Sequence, residues 1–361
     1  MKKKSLSVKK IIPNHFNFKK ILKDKKILKT YNEFTKSFEN LRITEKIAIA
    51  VSGGSDSMAL CFLASCYKSK KKNMTIPNFY LVDHGLRKES AKEAKLVKRQ
   101  LKLNEINLKI LKWRGNKPDS NIQSLARKKR YELLFNECKK SNITTILTAH
   151  HKDDIFETFF IRLLRGSGTE GLSSFIEPDK EFFFKGSKIT VVRPLLNISK
   201  QNLRYITQNV FNFYVEDQSN EMDKFQRVRI RKLISNLEDQ GLDFQKLKLT
   251  IKNLGSTNNA INELVHKNIS KNVTLSKKNY VISSEFFLQP EEIVFRSLSL
   301  LIKKISNKVY PPRGKKIVNL IYEIKNSKQF KATLGGTIIE KIHNSVKVTK
   351  EKQKNVKFAT I

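Results

Sequence analysis

The chain has 361 residues, a formal net charge of +39, and 39% hydrophobic against 29% charged residues. That length allows two domains, each burying its own core, and the composition is that of a globular protein. No apolar run approaches the roughly 18 residues needed to cross a bilayer, and the basic start Met1 to Lys10 lacks the apolar core of a secretory signal, so a cytoplasmic protein is expected.

In chain order, residues 1–44 read as a Lys-rich extension carrying a helix at about Tyr31 to Leu41. Alternation then begins. Ile47 to Val51, Phe79 to Val82, Ile106 to Leu111 and Thr144 to Leu147 are strand-like. Ser57 to Tyr67, Glu89 to Leu101, Ser120 to Lys139 and Asp153 to Leu164 have helical periodicity. Strands alternating with helices predict an α/β domain with a parallel sheet covered on both faces, over residues 45–235. Ligands in such sheets bind beyond the carboxyl ends of the strands. Gly166 to Ser174 reads as a Gly/Ser loop, Gly186 as the tip of a hairpin, Gln201 to Asn209 as a helix, and Glu216 to Arg231 as a polar run. Residues 236–361 form a mainly helical C-terminal region, interrupted by a hairpin around Lys277 to Asn279 and by Pro311-Pro312. It ends in a short β element, two strands after Gly335-Gly336.

Part of the charge reflects composition, since Lys far exceeds Arg and Asn and Ile are abundant, as in an A/T-rich genome. The remainder favours RNA, whose phosphates are neutralised by many cations, and the C-terminal region is the expected tRNA-binding part. Cys61, Cys66 and Cys138 form no CxxC pair and no zinc-like spacing, so they are expected to be buried thiols of a reduced protein. His15, His266 and His343 lack partners nearby in sequence and are assigned no role.

Two segments carry chemistry. Ile47-Ala-Ile-Ala-Val-Ser-Gly-Gly-Ser-Asp-Ser57 runs from strand through Ser/Gly loop to helix. Gly53 and Gly54 let the backbone approach a phosphate, the amides opening the helix point at the anion, and Ser52, Ser55 and Ser57 add hydroxyls. Asp56 is out of place beside phosphates unless Mg²⁺ lies between them. No Lys follows the last glycine, so this is not a Walker loop. In Ala149-His-His-Lys-Asp-Asp-Ile-Phe-Glu-Thr158, residues His150, Asp154 and Glu157 share one face at a helix start. A capping role explains one aspartate. Two histidines, two aspartates and a glutamate after an apolar strand suit Mg²⁺ binding, orientation of an attacking amine and acceptance of its proton.

The first segment resembles the S-G-G-x-D-S signature of the PP-loop ATP pyrophosphatases. The second is similar to the A-H-H-x-D-D-x-x-E-T block of the tRNA(Ile)-lysidine synthetases and their thiolating relatives. Arg165-Gly-Ser-Gly-Thr-Glu-Gly-Leu172, Ala126-Arg127-Lys-Lys-Arg130-Tyr131, Arg193-Pro-Leu-Leu196 and Asp217-Gln-Ser-Asn220 with Arg227 and Arg231 extend the match in register. The resemblance implies a PP-loop, adenine nucleotide alpha hydrolase-like fold, ATP and Mg²⁺ as cofactors, and a tRNA(Ile) with CAU anticodon and free L-lysine as partners. It implies ATP-dependent ligation of lysine to C2 of the wobble cytidine through an adenylated cytidine. Ser52, Gly53, Gly54, Ser55, Asp56 and Ser57 would hold the phosphates, with Asp83 and His84 beside the nucleotide and Asp56 and Asp154 at the metal. Asp56, His150, Asp154, Glu157 and Arg231 form the expected catalytic set. Arg127, Arg130, Gly166, Gly168 and Arg227 form the expected substrate-binding set, although the arginines also suit solvated helix faces and the glycines a plain connector. Thiolating relatives usually need cysteine pairs that this chain lacks. A related PP-loop tRNA-modifying enzyme that thiolates and a non-catalytic RNA-binding protein on the same scaffold stay as alternatives, and the oligomeric state stays open, with a homodimer among the options.

Overall fold

A computed structural model describes residues 16–41, 43, 45–71, 76–115, 122–173, 179–216, 221–276, 279–308 and 311–351. The chain divides into two compact units, Met1–Ile251 and Lys252–Ile361.

In the first unit, helices α1 (Phe18–Ile21) and α2 (Lys25–Asn40) precede the alternating segment. Asp24 caps α2 by accepting the Lys26 and Ile27 amides at 2.8 and 3.0 Å, and Tyr205 donates to its other oxygen at 2.8 Å. There follow β1 (Ile47–Val51), α3 (Ser55–Lys70), β2 (Asn78–Asp83), α4 (Ser90–Lys102), β3 (Leu108–Lys112), α5 (Ile122–Lys140), β4 (Thr145–Leu147) and α6 (Lys152–Leu164). The short helix α7 (Thr169–Ser173) stands where a loop is expected from composition. A hairpin of β5 (Asp179–Phe184) and β6 (Ser187–Val192) turns at Gly186, as predicted. Helix α8 (Lys200–Val210) and helix α9 (Glu221–Asp239) come next.

The sheet order is β3-β2-β1-β4-β6-β5, parallel except for the β5 edge. The period of two along the strands sends side chains to opposite cores. Ile47, Ile49 and Val51 pack with α2, α3, α4 and α8, whereas Ala48, Tyr80 and Ile146 pack with Leu134, Phe135 and Cys138 of α5. The expected parallel sheet with both faces covered is what forms.

Helix α9 occupies much of the stretch read as a polar run. Its Ile230 and Ile234 bury against Ile155, Phe156 and Phe160 of α6. That packing, joined by Phe244, Leu247 and Ile251, carries the first unit past the boundary expected near 235, into the long helix α10 (Phe244–Asn272).

In the second unit, the later part of α10 leads to the hairpin β7 (Val273–Ser276) and β8 (Asn279–Ile282), then a 3₁₀ turn (Ser284–Leu288), α11 (Glu291–Ser306) and α12 (Gly314–Asn326). Three strands close it: β9 (Phe330–Leu334), β10 (Thr337–Ile342) and β11 (Ser345–Lys350). The expected two-strand remnant is part of a five-stranded antiparallel sheet, β7-β8-β11-β10-β9, because β11 pairs with β8 through Val346 opposite Ile282. Among the described residues no helix is long and apolar enough to cross a membrane.

Candidate active site

Strands β2 and β3 lie on one side of β1 and β4 on the other, so the winding reverses between β1 and β4. The crevice at such a switch point is where open α/β sheets bind ligands. Ser52 to Ser57 leaves β1 there, and Thr148 to Asp154 leaves β4.

Gly53 has φ +86°, and a Cβ on it would lie 2.7 Å from Val97 Cγ2. Its carbonyl accepts the Val215 amide at 2.9 Å, which ties the loop to the segment after α8. Gly54 is the N-cap of α3 and makes no side-chain cap bond. The first intrahelical bond is Met58 N–H to Gly54 O, so the Ser55, Asp56 and Ser57 amides lack helical acceptors and suit an anion. Ser57 departs from expectation. It is buried, and its hydroxyl accepts the Ser52 and Gly53 amides at 3.2 and 3.1 Å and donates to Gly54 O at 3.0 Å. The Ser57 hydroxyl therefore braces the loop from within, and its amide remains the group that can meet a phosphate. Ser52 Oγ sits 3.1 Å from Ser57 Oγ. Ser55 Oγ donates to Asp56 Oδ1 at 3.0 Å.

Across the crevice, His151 is the N-cap of α6. Its amide donates to Asp154 Oδ2 at 3.0 Å. Its ring nitrogen Nε2 lies 3.5 Å from Asp56 Oδ2 and 3.7 Å from Asp154 Oδ2, while Nδ1 lies 3.6 Å from Asp153 Oδ2. The phosphate loop and the acid helix thus meet around one imidazole. Burial would lower that imidazole, but its contacts with Asp153 and Asp56 and the charge of Asp154 raise it to about 10. Burial would likewise raise the Asp56 carboxyl. The contact with His151 outweighs it and holds the group below the ordinary carboxylate value. Asp153 is brought to about 2, against burial, by His151 and by the Lys200 amide, which donates to it at 2.8 Å.

His150 lies apart from this trio. Thr148 Oγ1 is 2.9 Å from His150 Nδ1 and donates to Val192 O at 3.2 Å. Thr148 thus fixes the His150 ring through Nδ1. Burial and the charges of Arg193, Arg127 and Arg130 hold His150 down at about 3, so it accepts hydrogen bonds but is too weak a base to take a proton at neutral pH. Arg130 Nε donates to His84 Nε2 at 3.2 Å, and His84 stands edge-on to Trp113 with centroids 6.1 Å apart. Arg130 thus touches His84, and the charges of Arg127 and Arg130 both reach His150. Asp83 is buried and accepts the Gly85 amide at 3.0 Å. That bond holds the turn after β2, where Gly85 takes a positive φ.

Glu157, on the second turn of α6, is buried and accepts from Arg231 Nε of α9 at 2.6 Å. These two expected residues form one ion pair. Gly166 has φ +68° and follows the C-cap of α6; its amide donates to Leu163 O at 3.0 Å and that of Ser167 to Arg162 O at 3.0 Å, a left-handed helix stop. A side chain at Gly166 or Gly168 would meet no atom within 4 Å, so both positions lie open. The side chain of Arg227 and residues 217–220 lie outside what the structure describes. Sequence reasoning counted His151 and Asp153 in the block without giving either a role of its own, and passed over Lys200. The doubled histidine marked the block, but only the fold tells which of the two faces Asp56.

Among the described residues, no group of three or more His, Cys, Asp or Glu side chains is arranged to hold a metal alone. Mg²⁺ in nucleotide sites typically takes one or two carboxylates and completes its shell with phosphate and water. Asp56 and Asp154, both facing the crevice, fit that donor set. The three cysteines are buried, and burial pushes the thiols of Cys66 and Cys138 up to about 11 and about 12, as expected for inert thiols.

A model of the PP-loop domain matches residues 23–238. The chain is 35% identical over 312 residues to the tRNA(Ile)-lysidine synthase of Wolbachia pipientis wMel, covering 85% of this chain and 70% of that one. It is 33% identical over 309 residues to the tRNA(Ile)-lysidine synthase of Orientia tsutsugamushi (strain Boryong), covering 82% and 67%. The U34-tRNA thiolase NcsA from Methanococcus maripaludis superposes with a TM-score of 0.51 at 16% identity, over 63% of this chain and 78% of that one, which speaks to the fold alone.

Proposed function

Because the chain belongs to the tRNA(Ile)-lysidine synthase family, ATP-using ligases of the PP-loop class, we propose that it joins free L-lysine to C2 of the wobble cytidine of tRNA(Ile) bearing a CAU anticodon. The observation that carries this reading is the convergence of Asp56 and Asp154 on one point, His151 Nε2, at the switch point of the sheet.

In the first step the cytidine O2 attacks the α-phosphorus of ATP, the bond to the β-phosphate oxygen breaks, and pyrophosphate leaves. The Ser55, Asp56 and Ser57 amides hold its oxygens, with the α3 dipole behind them, and the Ser52 and Ser55 hydroxyls join them by turning from Ser57 and Asp56. Asp56 and Asp154 would hold Mg²⁺, whose contribution when bound is to neutralise charge on the departing pyrophosphate. Arg127 and Arg130, with His84, meet phosphates of ATP or tRNA. In the second step the lysine amine attacks C2 of the adenylated cytidine, the bond from C2 to the phosphate-bearing oxygen breaks, AMP departs, and the amine proton passes to Asp154. Asp154 and the Glu157–Arg231 pair orient the amine. His150, held neutral, contacts the base through Nε2. Its depression comes after burial from arginines that phosphates would neutralise, so it is greatest before substrates bind.

Gly166 and Gly168 flank the cleft as a clamp, Arg227 binds tRNA, and the Lys-rich C-terminal unit adds grip on the RNA. Incubation with labelled lysine, ATP and unmodified isoleucine tRNA tests the whole: label in the RNA, dependent on ATP, is expected. RNA binding without label transfer would instead make the chain a non-catalytic binder on this scaffold.

A further inference from the structure

The proposed chemistry leaves the residue between the two acids without a task. His151 is 2% exposed, yet its surroundings are ionic and not apolar. Nε2 faces Asp56 Oδ2 at 3.5 Å and Asp154 Oδ2 at 3.7 Å, and Nδ1 faces Asp153 Oδ2 at 3.6 Å. Its backbone is held as firmly. The amide donates to Asp154 Oδ2, the carbonyl accepts the Asp154 amide at 3.1 Å, and the residue bridges to Leu195 in parallel. Asp153 carries the connection on to the Lys200 amide at the start of α8.

A histidine acting only as a helix cap needs one contact. Here a single ring stands among three carboxylates of two different elements. All three contacts are longer than a good hydrogen bond, so the ring stands between the acids without binding tightly to any single one. Asp56 and Asp154 come from different elements and approach the same ring nitrogen, so the ring fills the space across which the two carboxylates would otherwise repel.

We propose that His151 is a positioning residue: it holds the Asp56 and Asp154 carboxylates at a set separation, so that a divalent cation arriving with ATP meets both without movement of the loop or the helix. This rests on the assignment of those two acids to the metal, made above. His151 acts only through them.

The test is Mn²⁺ binding to the full chain with a non-hydrolysable ATP analogue, followed by electron paramagnetic resonance, for the wild type, H151Q and H151F, with melting temperatures alongside. Gln returns a donor near Nε2; Phe keeps the ring volume without one. H151F should lose about 10- to 100-fold in Mn²⁺ affinity, the range found when a group supporting a metal ligand is removed. H151Q should recover most of that loss, whatever the melting temperatures do. If H151F does not fold, His151→Leu serves as the donor-free variant with the same expectation. Undiminished binding by the donor-free variant, or a loss in H151Q equal to it, overturns the inference and leaves the metal assignment standing. No Mn²⁺ binding by the wild type overturns the metal assignment and the inference with it.

Discussion

The two units handle charge in opposite ways. At the crevice of the first, charged groups are half-buried or buried and answered at short range: Asp56, Asp153 and Asp154 by His151, and Glu157 by Arg231. The second has a cavity of about 1230 Å³ whose basic lining includes Lys325, Lys328 and Lys331, all exposed. Lys331 has Glu340 at 3.3 Å, a pairing that solvent weakens. Buried and fixed charges resist screening and suit one chemical act. Exposed lysines are screened within about 8 Å at physiological salt and suit a diffuse grip on a polyanion.

Substitutions at the first site should therefore be severe and insensitive to salt. Asp56→Asn should lower the rate of lysine transfer roughly a thousandfold with little loss of tRNA binding, the scale of removing one fixed transition-state contact. Steady-state kinetics paired with filter binding measures both, and an equal loss in each would erase the contrast between the units. Gly53→Ala comes next. A methyl 2.7 Å from Val97 Cγ2 on a backbone at φ +86° should cost about 1–3 kcal/mol, seen in thermal melts, together with ATP affinity. Normal ATP binding by that variant would mean that the loop does not contact the phosphates. The smallest effect is expected in the second unit. Lys325→Ala with Lys328→Ala should weaken tRNA binding several-fold and make its dependence on salt shallower, by about one unit for each phosphate no longer neutralised, with KM for lysine unchanged.

The strand–loop–helix from Ile47 to Lys70 was legible because glycine, serine and apolar runs report locally on backbone shape. The hairpin at Gly186 was legible for the same reason. The pairing of Val346 with Ile282 was not, since nothing local records a partner so distant in the chain. The polar run that became α9 hides its buried face in Ile230 and Ile234, which charged neighbours obscure. At the site, residue types and spacing were enough to collect Asp56, Asp154 and Glu157, and the family resemblance added Arg231. They were silent on direction. Ser57 turns inward to brace its own loop, Asp83 turns onto Gly85, and of two adjacent histidines it is His151 that stands between the acids while His150 lies under arginine charge.

The most direct measurement of whether loop amides and acids act on one triphosphate is the fate of ATP labelled at the α-phosphate, incubated with lysine and isoleucine tRNA. Release of AMP and pyrophosphate in step with lysine incorporation, dependent on tRNA and abolished together in Asp56→Asn, is the predicted result. Cleavage to ADP and phosphate, or turnover that Asp56→Asn leaves intact, would contradict it.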